Sequence, residues 1–469
     1  MRRRLRHVIV LVALILLQGA FQEVPPSRAL GSRIRNIVLI LTDDQRFDTM
    51  WAMPKAQALL ADEGVTFTNA FVVNPLCCPS RASILTGKYS HGTGVYTNGG
   101  QYGGFGNFDD SSTIATWLHD EGYTTALVGK YLNHYEGTPY IPPGWDQWVA
   151  FSDNTGEYYD YDLNVNGVIE HRGSTRADYS TTLLADYAED FILNAPERKP
   201  FFLYFSLFAP HGRATPERQY RNQFSNLRGL KKSPAFNERN VRDKPKYIRD
   251  LSSLDDGEIE RLDSERKGTY ETLLSVDDAV ESVVTALETT GQLDNTLIVF
   301  TSDNGNLFGE HRWNYKIVPY EESIRVPLVV RYDPLLNGPI VDDHLALNID
   351  LAPTFAGLAG VDAPGADGSD LLLPATGQAQ GWRTDFLIES LHYRRHRKGN
   401  VPTYCAVRNE RYIYVDYQGP AAEFYNLNKD PYELENSVNR EGAAAPLATM
   451  QARLAELCNP PPPGYTLGD

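Results

Sequence analysis

The chain has 469 residues, 42% hydrophobic and 22% charged, an ordinary balance for a soluble globular protein long enough to bury a large core. Its net charge of −16, from 44 basic and 60 acidic side chains, argues against a general nucleic-acid or anionic-membrane surface. An anionic small substrate is not excluded, because a local cationic pocket or a bound metal overrides the mean field.

Arg2, Arg3, Arg4, Arg6 and His7 precede an apolar run from Val8 to Leu17. That run is shorter than the about 20 residues a membrane span needs, so residues 1–29 read as an export signal cut between Ala20 and Ala29. An uncleaved anchor is the alternative. Export predicts a secreted, periplasmic or extracellular protein with no stable membrane association after cleavage, in a compartment where disulfides persist.

Asn36 to Leu41 is a continuous apolar run, the mark of a strand buried on both faces. Pro54 to Glu63 and Thr113 to Glu121 read as helices stopped by Gly64 and Gly122, and Thr124 to Val128 resumes strand character. Phe201 to Phe208 is apolar and aromatic. The stretch from His211 to Lys267 is polar, but Phe236, Tyr247 and Ile248 point to a long insertion folded over the main domain. Tyr270 to Thr290 has helical periodicity; Leu297 to Phe300 and Val326 to Val330 are strand-like, and Asp350 to Leu358 is helical. This alternation predicts an α/β fold, a large mostly parallel sheet flanked by helices, over residues 30–380. Short strands at 386–388, 403–408, 412–417 and 423–426, then a helix at 445–457, predict a smaller antiparallel subdomain over residues 381–469.

The chemistry concentrates at a few places. Cys77-Cys78-Pro79-Ser80-Arg81 continues as Ala82-Ser83-Ile84-Leu85-Thr86-Gly87-Lys88. An unpaired cysteine is usually a small buried hydrophobe, and Cys78 keeps that reading. Pro79 suits the first turn of a helix, which places Cys77 at a helix N-terminus, where free amides favour anions. Asp43-Asp44-Gln45 and Asp303-Asn304-Gly305 each follow a buried-strand run, where ligands gather in α/β sheets. Asp43, Asp44, Asp303 and Asn304 together make a hard oxygen site suited to Ca²⁺. Arg81, Lys130, His211, His311 and Lys316 fall at the same edge and supply positive charge for an oxyanion. Each alone is more often a solvated surface group.

With these residues, the chain resembles a formylglycine-dependent sulfatase of the alkaline-phosphatase-like superfamily, over about residues 36–436. The likeness rests on the Cys-x-Pro-Ser-Arg…Leu-Thr-Gly segment at Cys77, Leu41 to Gln45, Gly129-Lys130, Ala209-Pro210-His211, Thr301 to Gly305, His311 and Lys316. Tyr425-Asn426-Leu427 and Asp430-Pro431-Tyr432-Glu433 match the C-terminal signature. The resemblance implies that modifying machinery acting on residues 77–88 oxidises Cys77 to Cα-formylglycine. Its hydrated diol would attack sulfur with one hydroxyl and expel sulfate with the other. It further implies that Asp43, Asp44, Cys77, Asp303 and Asn304 hold one calcium ion and that Arg81 stabilises the diol. Lys130, His211, His311 and Lys316 would bind sulfate, and Lys130, His211 and Lys316 would help protonate the leaving alcohol.

Leu132 stands where many sulfatases have a histidine, so Asn133 or His134 is expected to meet the diol instead. If Cys77 is converted, Cys405 and Cys458 remain as one candidate disulfide. Gly129 to Asn133, Ser233 to Glu238 and Asp243 to Arg249 are similar to the N-acetylglucosamine-6-sulfatase branch, implying a sulfated saccharide as substrate. The cluster His392, Arg394, Arg395, His396, Arg397 and Lys398 is a solvated loop or a contact for an anionic polysaccharide. The rival readings are a phosphonate or phosphodiester hydrolase with the same modified cysteine, and a catalytically silent carbohydrate-binding protein.

Overall fold

Asn36–Thr42 forms strand β1, and every one of its residues is buried. Ile37, Leu39 and Leu41 enter one apolar cluster, while Val38 and Ile40 enter another on the opposite face. The unbroken apolar run therefore marks a strand with helices on both sides. The computed structural model describes residues 35–153, 156–196, 198–227, 232–395 and 399–468. The signal-like segment 1–29 and the basic residues His396, Arg397 and Lys398 lie outside the described residues.

Nine more strands join β1: β2 (Val65–Phe67), β3 (Thr124–Gly129), β4 (Gln147–Phe151), β5 (Tyr161–Val165), β6 (Val168–Arg172), β7 (Phe201–Ser206), β8 (Thr296–Ser302), β9 (Leu328–Arg331) and β10 (Ile340–Asp342). Their order across the sheet is β10-β2-β9-β8-β1-β7-β3-β4-β5-β6. The run β8-β1-β7-β3-β4 is parallel throughout. Antiparallel strands extend it on both sides: β9 pairs antiparallel with β8, and the β5–β6 hairpin continues from β4. Helices α1 (Cys77–Thr86), α2 (Ile114–Asp120) and α5 (Leu351–Ala359) cover one face. Helices α3 (Ser180–Leu193) and α4 (Asp256–Thr289) cover the other.

Helix α4 begins well before the expected Tyr270. Asp255 caps it, accepting from the Glu258 amide at 2.8 Å, while Glu258 accepts from the Asp255 amide at 3.2 Å. This capping box starts a helix whose first turns are polar because they face solvent. Part of the polar insertion folds down as expected: Tyr247 and Ile248 are buried in a cluster with Trp313 and Tyr417.

The C-terminal sheet has the order β11 (Asp385–Ser390), β12 (Tyr404–Asn409), β13 (Tyr412–Tyr417) and β14 (Ala422–Asn426), antiparallel throughout, with helix α6 (Ala444–Leu457) against it. Its two faces obey the period of two. Tyr404, Ala406, Ile413, Val415 and Tyr417 pack toward the large sheet's loops, whereas Cys405, Val407 and Tyr414 pack with Met450 and Leu454 of α6. Cys405 and Cys458 form a disulfide that ties the end of α6 to β12. Replacing both by alanine should lower stability by about 2–4 kcal/mol. The check is the denaturant midpoint at constant slope; an unchanged midpoint would mean the bridge contributes nothing to the folded protein.

Candidate active site

The parallel strands deliver the polar groups by register. Thr42 lies opposite Ser302 and Gly129 opposite Ser206, so β1, β8, β3 and β7 end at one level. The pairing runs on into the loops: the Asp303 amide donates to Thr42 O at 3.1 Å, Lys130 to Ser206 O at 2.7 Å, and Asp43 to Ala209 O at 3.2 Å. Asp43, Lys130, Ala209 and Asp303 thus leave the sheet side by side. Gly129 has φ +118°, and a Cβ there would meet Ser206 O at 1.8 Å, so only glycine permits this approach beside Lys130. Asp44 takes a left-handed φ of 65°, which turns its amide onto Asp303 Oδ1 at 3.2 Å.

Cys77 opens α1, with extended Leu76 before it and Pro79 inside the first turn, as the sequence predicts. The helix stops at Gly87, φ 71°. Both cysteine thiols are buried and unpaired. Cys77 Sγ lies 2.6 Å from Lys316 Nζ and 3.6 Å from Asp43 Oδ1. The Cys78 amide donates to Asn98 Oδ1 at 2.9 Å, and burial pushes the Cys78 thiol up to about 11.

Around Cys77 the charges interlock. Arg81 is wholly buried and donates to Asp303 Oδ2 at 2.7 Å, Ser206 Oγ at 2.6 Å and Lys130 O at 3.0 Å. Its Nη2 faces Asp43 Oδ2 at 3.5 Å and makes no hydrogen bond. The Lys130 ammonium donates to Asp43 and the Lys316 ammonium to Asp44. Asn304 Nδ2 donates to Asp44 Oδ1 at 2.6 Å. His211 Nε2 stands 3.7 Å from Asp44 Oδ2. One ligand atom from each of Asp43, Asp44, Cys77 and His211 falls within a 4.8 Å group.

Burial raises the Asp43 carboxyl, but Lys130, His211, Arg81 and Lys316 outweigh it and hold the group well below the usual range. Burial would lower Lys130 and Lys316, yet Asp43 and Asp44 respectively keep both ammonium groups charged. Burial takes His211 down to about 4, against the pull of Asp43 and Asp44. Burial, reinforced by Asp43, pushes the Cys77 thiol up to about 12. A thiolate is therefore absent near neutral pH, and the encoded cysteine is a poor nucleophile.

The donor set fits a hard dication. Asp43, Asp44 and Asp303 are carboxylates on one buried wall, and Asn304 Oδ1 is buried there without a hydrogen-bond partner. Lys130 and Lys316 rest on the same aspartates that a cation would neutralise.

Two expected participants are held by other partners. His311 is fully buried with partners other than the Cys77 cluster: Nδ1 bonds Glu238 Oε2 at 2.7 Å, and the ring stacks on Tyr320 with centroids 4.0 Å apart. His134 is half exposed, 3.5 Å from Glu136, with its ring against Gly99 and Gly104. Asn133 is buried, and its Oδ1 has no partner. Ser206 and Glu238 were not singled out by sequence. Ser206 is the one polar residue of an otherwise apolar and aromatic strand, which is a readable signal; Glu238 sits among many charges and gives none.

The sequence profile described as "Sulfatase" matches residues 35–361, and "N-sulphoglucosamine sulphohydrolase, C-terminal" matches residues 309–459. The N-acetylglucosamine-6-sulfatase of Capra hircus is 35% identical over 458 residues, covering 87% of this chain and 80% of that protein. The extracellular sulfatase SULF-1 homolog of Drosophila melanogaster is 36% identical over 378 residues, covering 78% of this chain and 34% of its own length. A structure solved in complex with its substrate D-glucosamine-2-N,6-O-disulfate superposes with a TM-score of 0.80 at 25% identity, covering 91% of this chain and 98% of that one. A buried cysteine set among cations at the carboxyl edge of this sheet agrees with that kinship: the chain belongs to the sulfatase family and is a sulfuric ester hydrolase.

Proposed function

We propose that this protein is an exported, calcium-dependent sulfatase that removes sulfate from a sulfated saccharide, such as N-acetylglucosamine 6-sulfate in a glycosaminoglycan, with Cys77 converted to formylglycine. The observation that carries this reading is the Cys77 side chain itself, seated at a helix N-terminus 2.6 Å from Lys316 with its thiol raised to about 12. The hydrated aldehyde would supply the oxygen nucleophile that the thiol cannot. Asp43, Asp44, Asp303 and Asn304 would hold the calcium ion, which supplies Lewis acidity at the sulfate and the attacking oxygen. The names of the relatives support the sugar sulfate: one acts on N-acetylglucosamine 6-sulfate, and another was solved with glucosamine disulfate. Export is supported by the leading apolar run and by extracellular relatives; among the described residues no helix is long and apolar enough to cross a membrane.

The basic residues divide the remaining work. Lys130 and Lys316, whose ammonium groups meet Asp43 and Asp44 beside Cys77, would bind the sulfate oxygens. Arg81 keeps Asp303 oriented, and its unbonded Nη2, 3.5 Å from Asp43, would stabilise the diol. Lys130, Lys316 and His211 are the candidate proton donors to the leaving alcohol.

Lys130→Ala and Lys316→Ala should each lower kcat/KM by roughly 10²-fold or more, the scale of one preorganised oxyanion donor. Whichever lysine is the acid will lose less on aryl sulfates, whose phenolate leaves without protonation, than on sugar sulfates. Assay of both variants and His211→Ala on both substrate types assigns the role. Near-wild-type rates for all three would remove the proposed sulfate pocket. A panel of sulfated saccharides, run beside an aryl phosphodiester, tests the substrate; preference for the phosphodiester would favour the rival hydrolase.

A further inference from the structure

Lys316 reaches Cys77 from a loop whose backbone the large domain alone does not hold. Ile317, the next residue, has φ 82°. A β-branched residue in the left-handed region is strained, and it persists only where its surroundings fix it. Three hydrogen bonds do so. The Ile317 amide donates to Pro75 O at 3.1 Å, two residues before Cys77. Trp313 Nε1 donates to Lys316 O at 3.2 Å, and the Tyr404 hydroxyl donates to Ile317 O at 2.8 Å.

Tyr404 belongs to β12 of the C-terminal sheet, is fully buried and packs on Tyr417 with centroids 5.6 Å apart. A second clamp lies beside it. Tyr320, three residues beyond Ile317, donates to Glu423 Oε1 at 2.8 Å, and Tyr417 and Tyr425 donate to the same carboxylate at 2.6 and 2.5 Å. Strand alternation is what aims these groups: Tyr404 points to the loop, while Cys405, next in the chain, points away into the disulfide with Cys458.

We infer that the C-terminal sheet is a positioning element for Lys316, and that the Tyr404 hydroxyl, by fixing the Ile317 carbonyl, sets the lysine ammonium at Cys77. Tyr404 touches no reacting atom and acts only through Lys316; the inference rests on the proposed role of Lys316 at the sulfate. A misplacement of about 1 Å at a reacting group costs on the order of 10²-fold. Tyr404→Phe keeps the ring and removes the donor, so it should lower kcat/KM on an aryl sulfate about 10-fold to 100-fold, mostly in kcat.

A double-mutant cycle distinguishes positioning from general loosening. In the Lys316→Ala background, Tyr404→Phe should leave kcat/KM unchanged, although any change in Tm persists. Trp313→Phe, which frees the Lys316 carbonyl, should behave alike and serves if Tyr404→Phe folds poorly. Equal losses in both backgrounds, or no loss in either, would overturn the inference. If Lys316→Ala itself costs nothing, the proposed role of Lys316 fails instead, and the two failures are separable.

Discussion

Replacing Cys77 by alanine is expected to abolish sulfate-ester hydrolysis while the protein stays folded. The side chain is buried at the first position of α1, where alanine is a good helix former and only one sulfur atom's packing is lost. The chemical loss is much larger. The neighbouring groups are poor substitutes: the buried Cys78 thiol is raised to about 11, and His211 Nε2 faces Asp44. Removal of a nucleophile that works as a unit with its neighbours costs on the order of 10⁴-fold to 10⁶-fold. Turnover of an aryl sulfate, read beside circular dichroism and Tm, checks this. Activity within 10-fold of wild type in the alanine variant would mean that the reaction does not pass through residue 77.

Calcium removal should have the second-largest effect. Asp43, Asp44 and Asp303 lie on one buried wall, and without a cation the carboxylates would repel one another and the reacting oxygen would lose its Lewis acid. Chelation should therefore eliminate measurable turnover and also lower Tm, since a ligand at 1,000 times its Kd contributes about 4 kcal/mol of stability by linkage. Readdition of Ca²⁺ should restore both. Full activity in protein shown by elemental analysis to be metal-free would refute the assignment of Asp43, Asp44, Asp303 and Asn304.

Much of the site was legible because parallel strands convert sequence position into spatial position. An acidic pair after β1, another acidic group after β8 and a lysine after β3 must emerge at one edge once the strands are in register, and they do. The Cys77 segment was legible as a helix start from Pro79 alone. The antiparallel margins were harder. Asn166-Gly167, with φ 50° and 90°, joins β5 to β6 as a tight hairpin turn, and that dipeptide is a readable signal in a stretch where the sequence yielded no strands. The direction of β9 had no such signal, because an apolar run buried on both faces reads alike in either orientation.

His311 shows where sequence reading fails. Its position, five residues before Lys316, implied a shared pocket, yet the two side chains take different partners. His311 goes to Glu238 and Tyr320, and Lys316 goes to Cys77. The choice depends on Glu238 in the insertion and on Tyr404 in the C-terminal sheet, both remote in the chain. Pairing across such separations leaves no local pattern in the residues themselves. The early polar turns of α4 were missed for a different reason: a solvent-facing helix start lacks the apolar periodicity that identifies a helix, and only its Asp255–Glu258 capping box marks it.

The central claim is that residue 77 acts as formylglycine, and peptide mass spectrometry on exported, catalytically active protein tests it most directly. Exchange of the thiol for an aldehyde lowers the mass of the peptide carrying Cys77 by about 18 Da, a change that the sulfenic, sulfinic and sulfonic products of cysteine oxidation, which all gain oxygen, cannot mimic. The account predicts that loss at Cys77, with Cys78 retained as a thiol and specific activity rising in proportion to the modified fraction. Active protein carrying a free thiol at Cys77 would contradict it.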